Sequence, residues 1–299
     1  MKSIFIFAIM TALFVTVSIL VQGRMSASAQ KSYQNEVEIT TDKNYRYIKS
    51  NGIPDHPTGE FPNRNNPNRI SPQNYRFRLP LHPKTTDRIT PAPLFGVALN
   101  GVPFDPGTAE YWGERGRSAW RYEALTGKLN LGVDRNNAHV QPTGAYHYHG
   151  IPVGLVENLR GKDKEKNVLL IGYASDGFPV YSEYDHADPM DTQSQVKKMS
   201  PSYRLKKGNR PDGPGGAFDG TFEADWEFAA GSGDLDQCNG RFGKTPEFPE
   251  GIYHYFLTSE YPFIPRCVRG TPDESFEKRP PRNFPPAGSP DHDRPRRRP

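Results

Sequence analysis

The chain carries the same series of anchors twice. The first series runs Asn100-Gly101-Val102-Pro103, then Asp134-Arg135-Asn136-Asn137-Ala138-His139, then Pro142-Thr143-Gly144-Ala145-Tyr146-His147-Tyr148-His149. The second runs Asp176-Gly177-Phe178-Pro179, then Asp236-Gln237-Cys238-Asn239-Gly240-Arg241, then Pro249-Glu250-Gly251-Ile252-Tyr253-His254-Tyr255-Phe256. A further copy of the turn, Asn51-Gly52-Ile53-Pro54, stands alone. Asn-Gly and Asp-Gly favour the positive-φ conformations of tight hairpins. The Pro two residues on holds the outgoing chain extended and offers no N–H. Each full series starts with a short apolar run, residues 95–99 and 171–175. Shared order over so many anchors predicts two related β-rich units, residues 94–150 and 168–263, forming one domain with approximate two-fold symmetry.

Composition agrees with short strands and long ordered loops. Only 34% of the 299 residues are hydrophobic, and 30 Pro with 28 Gly leave little room for long helices. The fold class expected is mainly β, sandwich or barrel-like, with one or two short helices, one of them over 109–125 with Trp112 and Trp120. The domain spans 94–270. Before it, residues 30–93 read as an extended N-terminal arm, with strand-like runs at 37–40 and 45–48 and a Pro/Asn-dense stretch after them. Residues 183–208 read as a polar excursion. After it, residues 271–299 read as a disordered Pro/Arg-rich tail ending Arg296-Arg297-Arg298.

The first residues read as an address for export. Lys2 precedes an apolar run over 4–21, and Ala27-Ser28-Ala29 offers a cleavage site, so residues 1–29 form an expected signal peptide. The rival reading is an uncleaved anchor, since the run approaches a spanning length of ~20 residues. No second apolar run of that length follows, so a periplasmic or extracellular body with no transmembrane part is expected. Cys238 and Cys267 then read as a disulfide, ahead of a pair of thiolate ligands. From Lys278 onward there are seven basic and two acidic residues, which leaves the rest with 31 basic and 32 acidic. A near-neutral body excludes a nucleic-acid-binding stripe. The tail alone has the charge for weak contact with an anionic envelope surface.

The Tyr-His-Tyr-His run carries the chemistry. On a strand, His147 and His149 share one face and Tyr146 and Tyr148 the other. Two imidazoles so placed chelate one transition-metal ion, with copper or zinc the expected identity. His254 is the counterpart of His147, and the expectation is that both strands meet near the symmetry axis, so that His147, His149 and His254 converge. His139 and then His56 are the further candidate ligands. Asp134 and Asp236 read as carboxylates that orient imidazoles, or as turn formers, with Tyr146 and Tyr253 beside them. Asp176 reads mainly as a turn residue. The competing view is a plain packing ladder of Tyr and His.

These segments resemble the YHYH domain family, named for the Tyr-His-Tyr-His motif. The resemblance rests on Gly144-Ala145-Tyr146-His147-Tyr148-His149-Gly150, on Asp176-Gly177-Phe178-Pro179, and on Leu235-Asp236-Gln237-Cys238-Asn239-Gly240 with Tyr253-His254-Tyr255, and it covers about 95–267. It implies a bacterial-centred, frequently exported domain rather than a particular activity. Phe256 stands where a fourth motif histidine would be.

Common catalytic signatures are absent: there is no Gly-x-Ser-x-Gly elbow, Walker loop, Gly-x-Gly-x-x-Gly or His-Glu-x-x-His. Three functions remain open. The first is an exported metal-binding protein. The second is a metal-dependent hydrolase or oxidoreductase, with Glu250, Asp236 or Tyr146 as the base. The third is a metal-free module that grips glycans or peptides through exposed aromatic residues.

Overall fold

Both Gly-x-Pro turns close hairpins at the centre of one sheet. Gly101 and Gly177 hold φ of +79° and +91°, and their N–H groups donate to the carbonyls of Ala98 and Ala174 at 2.8 Å. Neither position has room for a side chain. A Cβ on Gly101 would stand 2.1 Å from Ser50 Oγ, and one on Gly177 2.2 Å from the Pro80 carbonyl oxygen. Pro103 and Pro179 open the outgoing strands Pro103–Phe104 and Pro179–Tyr181, where a missing N–H is tolerated.

The computed structural model describes residues 33–114, 118–162 and 167–278. The expected signal peptide (1–29) and the tail from residue 279 lie outside them. Eight strands form the main sheet in the order Gly240–Thr245, Phe248–Phe256, Pro179–Tyr181, Leu170–Ala174, Gly96–Ala98, Pro103–Phe104, Tyr146–Tyr148, Ala138–Val140. Leu170–Ala174 and Gly96–Ala98 pair antiparallel in the middle, with Val97 opposite Tyr173. Moving outward on either side, the hairpin partner comes next, then a strand parallel to it, then an antiparallel edge strand. The pairing order is thus the same from either edge. The sheet is open, and the described strands close no barrel.

The arm is more structured than expected. Val37–Thr41, Tyr45–Ser50 and Tyr75–Pro80 form a three-stranded antiparallel sheet. Ile53, Phe61 and Ile70, spaced between prolines, reach the main core with Phe104, Tyr146, Tyr148, Val180 and Tyr255. Burial of these rings outweighs the low local propensity of the Pro/Asn stretch.

Two other expectations are corrected. Described residues of 109–125 form no helix; Tyr111 bridges Arg121, and Trp120 is pinned by Nε1–H donating to Asp212 Oδ1 at 2.8 Å. Tertiary contacts of Trp120 override the helical reading, while Trp112 stays exposed. Among the described residues the one α-helix is Val153–Arg160, which buries Leu155 and Val156. Residues 271–278 are ordered, not part of a disordered tail. Asp273 caps the turn Glu274–Phe276 and receives Arg78 Nε–H at 2.8 Å, while Phe276 stacks on Phe77 at 4.6 Å between centroids.

The Cys238–Cys267 disulfide is present. It ties the turn before Gly240–Thr245 to the two-residue strand Cys267–Val268, which pairs with Thr90–Pro91. Such a bond suits an oxidising compartment. Among the described residues no helix is long and apolar enough to cross a membrane.

Candidate metal centre

A tight turn sets up the strand that carries His139. Asp134 Oδ1 accepts the Asn136 N–H at 2.8 Å, the Asn137 N–H donates to the Asp134 carbonyl at 3.0 Å, and Asn137 takes φ +55°. Asn tolerates this left-handed conformation better than most residues. The chain then enters Ala138–Val140, which pairs antiparallel with Tyr146–Tyr148 and sets His139 directly opposite His147. The His149 N–H donates to the Asn137 carbonyl at 2.7 Å, one step beyond the paired strand. Alternation places His147 and His149 on one face, and direct opposition brings His139 to that same face.

The three imidazoles converge. His147 Nε2 lies 3.0 Å from His149 Nε2, which lies 3.1 Å from His139 Nε2. One ligand atom from each ring lies within 4.8 Å of the others, and no other such group of three occurs among the described residues. His147 and His149 are 3% and 1% exposed; His139, on the edge strand, is half-buried.

The hydrogen bonds behind the rings fix which nitrogens face inward. His139 Nδ1–H donates to the Leu131 carbonyl at 3.1 Å and His147 Nδ1–H to the Ala145 carbonyl at 3.2 Å. A carbonyl only accepts, so each neutral ring keeps its proton on Nδ1 and turns a bare Nε2 lone pair toward His149. One Nε2–H on His149 satisfies one of them and leaves the other facing a nitrogen. His149 Nδ1 makes no hydrogen bond of ordinary geometry, with the Pro106 carbonyl as its weak backbone neighbour. Two nitrogens each ~2.0–2.1 Å from a shared zinc ion stand roughly 2.9–3.4 Å apart for angles from right-angled to tetrahedral. The observed contacts fall in that range.

Burial dominates the electrostatics. It lowers the pKa of His147 to about 4, against an upward pull from Asp105. It holds His149 well below the usual imidazole range, aided by the other two rings, and lowers His139 as well. At neutral pH all three rings are in the uncharged form that binds metal.

Residues around the cluster add negative charge that sequence reasoning missed. Asp105, 2% exposed, follows Phe104, whose ring lies against Tyr148. Strand alternation therefore turns Asp105 toward the histidine side. It is held by Lys278 Nζ at 2.7 and 2.8 Å and by Gln141 Nε2 at 3.2 Å. Glu110 acts on His139, and its Oε2 is buried with no hydrogen-bond partner. Aligning the two hairpins on their prolines could have pointed to Asp105; nothing local marks Glu110.

The remaining candidates lie elsewhere. His56 is on the tyrosine face, with Nε2 2.6 Å from the Tyr148 hydroxyl. Asp134 and Asp236 orient tyrosines, not imidazoles: the Tyr146 hydroxyl donates to Asp134 at 2.8 Å and the Tyr253 hydroxyl to Asp236 at 3.1 Å. Asp176 is more than a turn former, since the Tyr255 hydroxyl and the Gly270 N–H both donate to it, at 2.7 and 2.8 Å. Glu250 is exposed on Phe248–Phe256, in the other half of the sheet. His254 does not join His147. Their strands are five places apart in the sheet, ~24 Å at ~4.8 Å per strand. The two halves pair through their middle strands, so the strands that carry the two Tyr-His-Tyr runs lie on opposite sides.

Fold and site together define an open-sheet β protein with a buried three-histidine cluster at one edge. The family described as YHYH protein matches residues 76–270, and the chain belongs to that family. No curated protein and no solved structure matches it.

Proposed function

We propose that this chain is an exported metal-binding protein that holds one transition-metal ion, zinc or copper, on His139, His147 and His149. The observation that carries the reading is the convergence of inward Nε2 atoms at 3.0 and 3.1 Å, with lone pairs that only a cation or a proton can bridge. Asp105 and Glu110 supply compensating negative charge nearby. Export rests on the leader-like residues 1–29, and the disulfide is compatible with it. The same reading takes the body as two copies of one unit, supported by the matched anchors and the pairing order.

Protein purified from its native compartment should carry one equivalent of metal per chain. His147→Ala with His149→Ala should carry none above background while keeping its β-sheet circular dichroism. Equal metal content in both proteins would overturn the proposal.

One observation favours a second reading, a metal-dependent enzyme. Three protein ligands leave a coordination position open for water, and His139, on the edge strand, is only half-buried. In that reading the unpartnered Glu110 Oε2 is the candidate base. A closed four-ligand shell around the bound ion would eliminate it.

A further inference from the structure

The half of the sheet away from the cluster repeats its backbone closely. Asn239 takes φ +56° where Asn137 takes +55°. The Phe256 N–H donates to the Asn239 carbonyl at 3.0 Å, as the His149 N–H does to Asn137 at 2.7 Å. Arg241 stands opposite His254 as His139 stands opposite His147. His254 Nδ1 lies 2.9 Å from the carbonyl two residues before it, the same contact that His147 makes at 3.2 Å. Position by position, Arg241 corresponds to His139, His254 to His147 and Phe256 to His149.

We propose that this second half carries a counterpart of the histidine cluster in which the Arg241 guanidinium takes the place of the metal ion. The inference rests on reading the first cluster as a metal centre. Asp185, on the strand Tyr184–His186 of the polar excursion, completes the counterpart. Its Oδ2 receives Arg241 Nε at 3.0 Å and lies 3.2 Å from His254 Nε2. Asp185 and His254 are fully buried, and Arg241 is 11% exposed at its side chain.

The chemistry differs as the substitution requires. In the first half, His147 faces one carbonyl and one nitrogen. In the second, both nitrogens of His254 face oxygen acceptors, and a fixed cation lies beside them. A guanidinium is always charged and carries five donors in a plane, so it neutralises a buried carboxylate without an exchangeable ion. Phe256 replaces the third imidazole with a ring that offers no ligand, and the guanidinium carbon lies 5.8 Å from its centroid. The second edge therefore needs no metal, and the chain takes one ion rather than two.

Replacing Arg241 and Phe256 together by histidine returns three imidazoles, with Asp185 beside them. Zinc content is compared between the parent and Arg241→His/Phe256→His, and between His147→Ala/His149→Ala and the same pair added to it. An increment of one equivalent per chain is expected in both comparisons. No increment in folded variants overturns this inference, whatever the parent binds. A zinc-free parent with the increment intact overturns the proposed function of the first cluster alone. If the variants fold only when refolded with zinc, that recovery supports the inference; failure to fold with zinc present overturns it.

Discussion

Arg266→Met should unfold about 10 °C below the parent, from a loss of about 3–5 kcal/mol. Arg266 donates to Glu123 Oε2 and to the Pro106 carbonyl, and to Glu223 Oε1 at 3.1 Å. The Glu123 side chain is 1% exposed, and burial pushes its carboxyl upward against the opposing pull of Arg266. Without the guanidinium, Glu123 is a buried charge left with backbone donors such as the Ala124 N–H at 3.0 Å. Breaking such a pair costs far more than replacing both partners, so adding Glu123→Gln should recover part of the loss. The contact bears on the site too: Arg266 holds Pro106, next to Asp105, and its charge helps keep His149 uncharged. Urea denaturation at pH 7 reads the difference, and a loss below about 1 kcal/mol would contradict a charge-pair buttress.

Metal-free protein should lose stability as pH falls from about 6.5 to 4, by roughly 3 kcal/mol from His147 alone. Its folded pKa is lowered from 6.5 to about 4. The unfolded chain therefore binds the proton first, and protonation pulls toward unfolding across that window. Above it, the neutral ring contributes its full stability. His139 and His149 shift in the same direction. The groups around the three rings act both ways: Asp105, Glu110 and Asp134 raise these values, while Lys278 and Arg266 lower them. Comparing chelated parent with His147→Ala/His149→Ala at pH 7 and pH 4.5 isolates the effect. A parent no more acid-sensitive than the variant would show that these rings are not held uncharged by burial.

What could be read from residues alone follows from period and order. The two-residue alternation of Tyr146 to His149 determines which rings share a face, and the strands that follow the doubled anchors pair in the same order from either edge of the sheet. The Gly-x-Pro turns were readable because φ above zero and a missing N–H are strictly local demands. Partnership across the sheet was not readable. His139 reaches His147 through strand register, while His254 is kept away by the direction in which the sheet grows from its central pair. Neither is encoded in spacing. Asp105 and Glu110 come from a hairpin and a loop far from the motif, and the folding of 109–125 follows where Trp120 packs, against Phe222 and Asp212. His56 serves the Tyr148 hydroxyl, a role that a lone histidine in an arm does not distinguish from metal ligation.

The most direct test is X-ray absorption at the metal edge of zinc- or copper-loaded protein, before and after His139→Ala. The expected shell has three imidazole nitrogens at ~2.0–2.1 Å, and the substitution should remove one of them. A shell of oxygen or sulfur, or an imidazole count that the substitution leaves unchanged, would contradict a centre built from His139, His147 and His149.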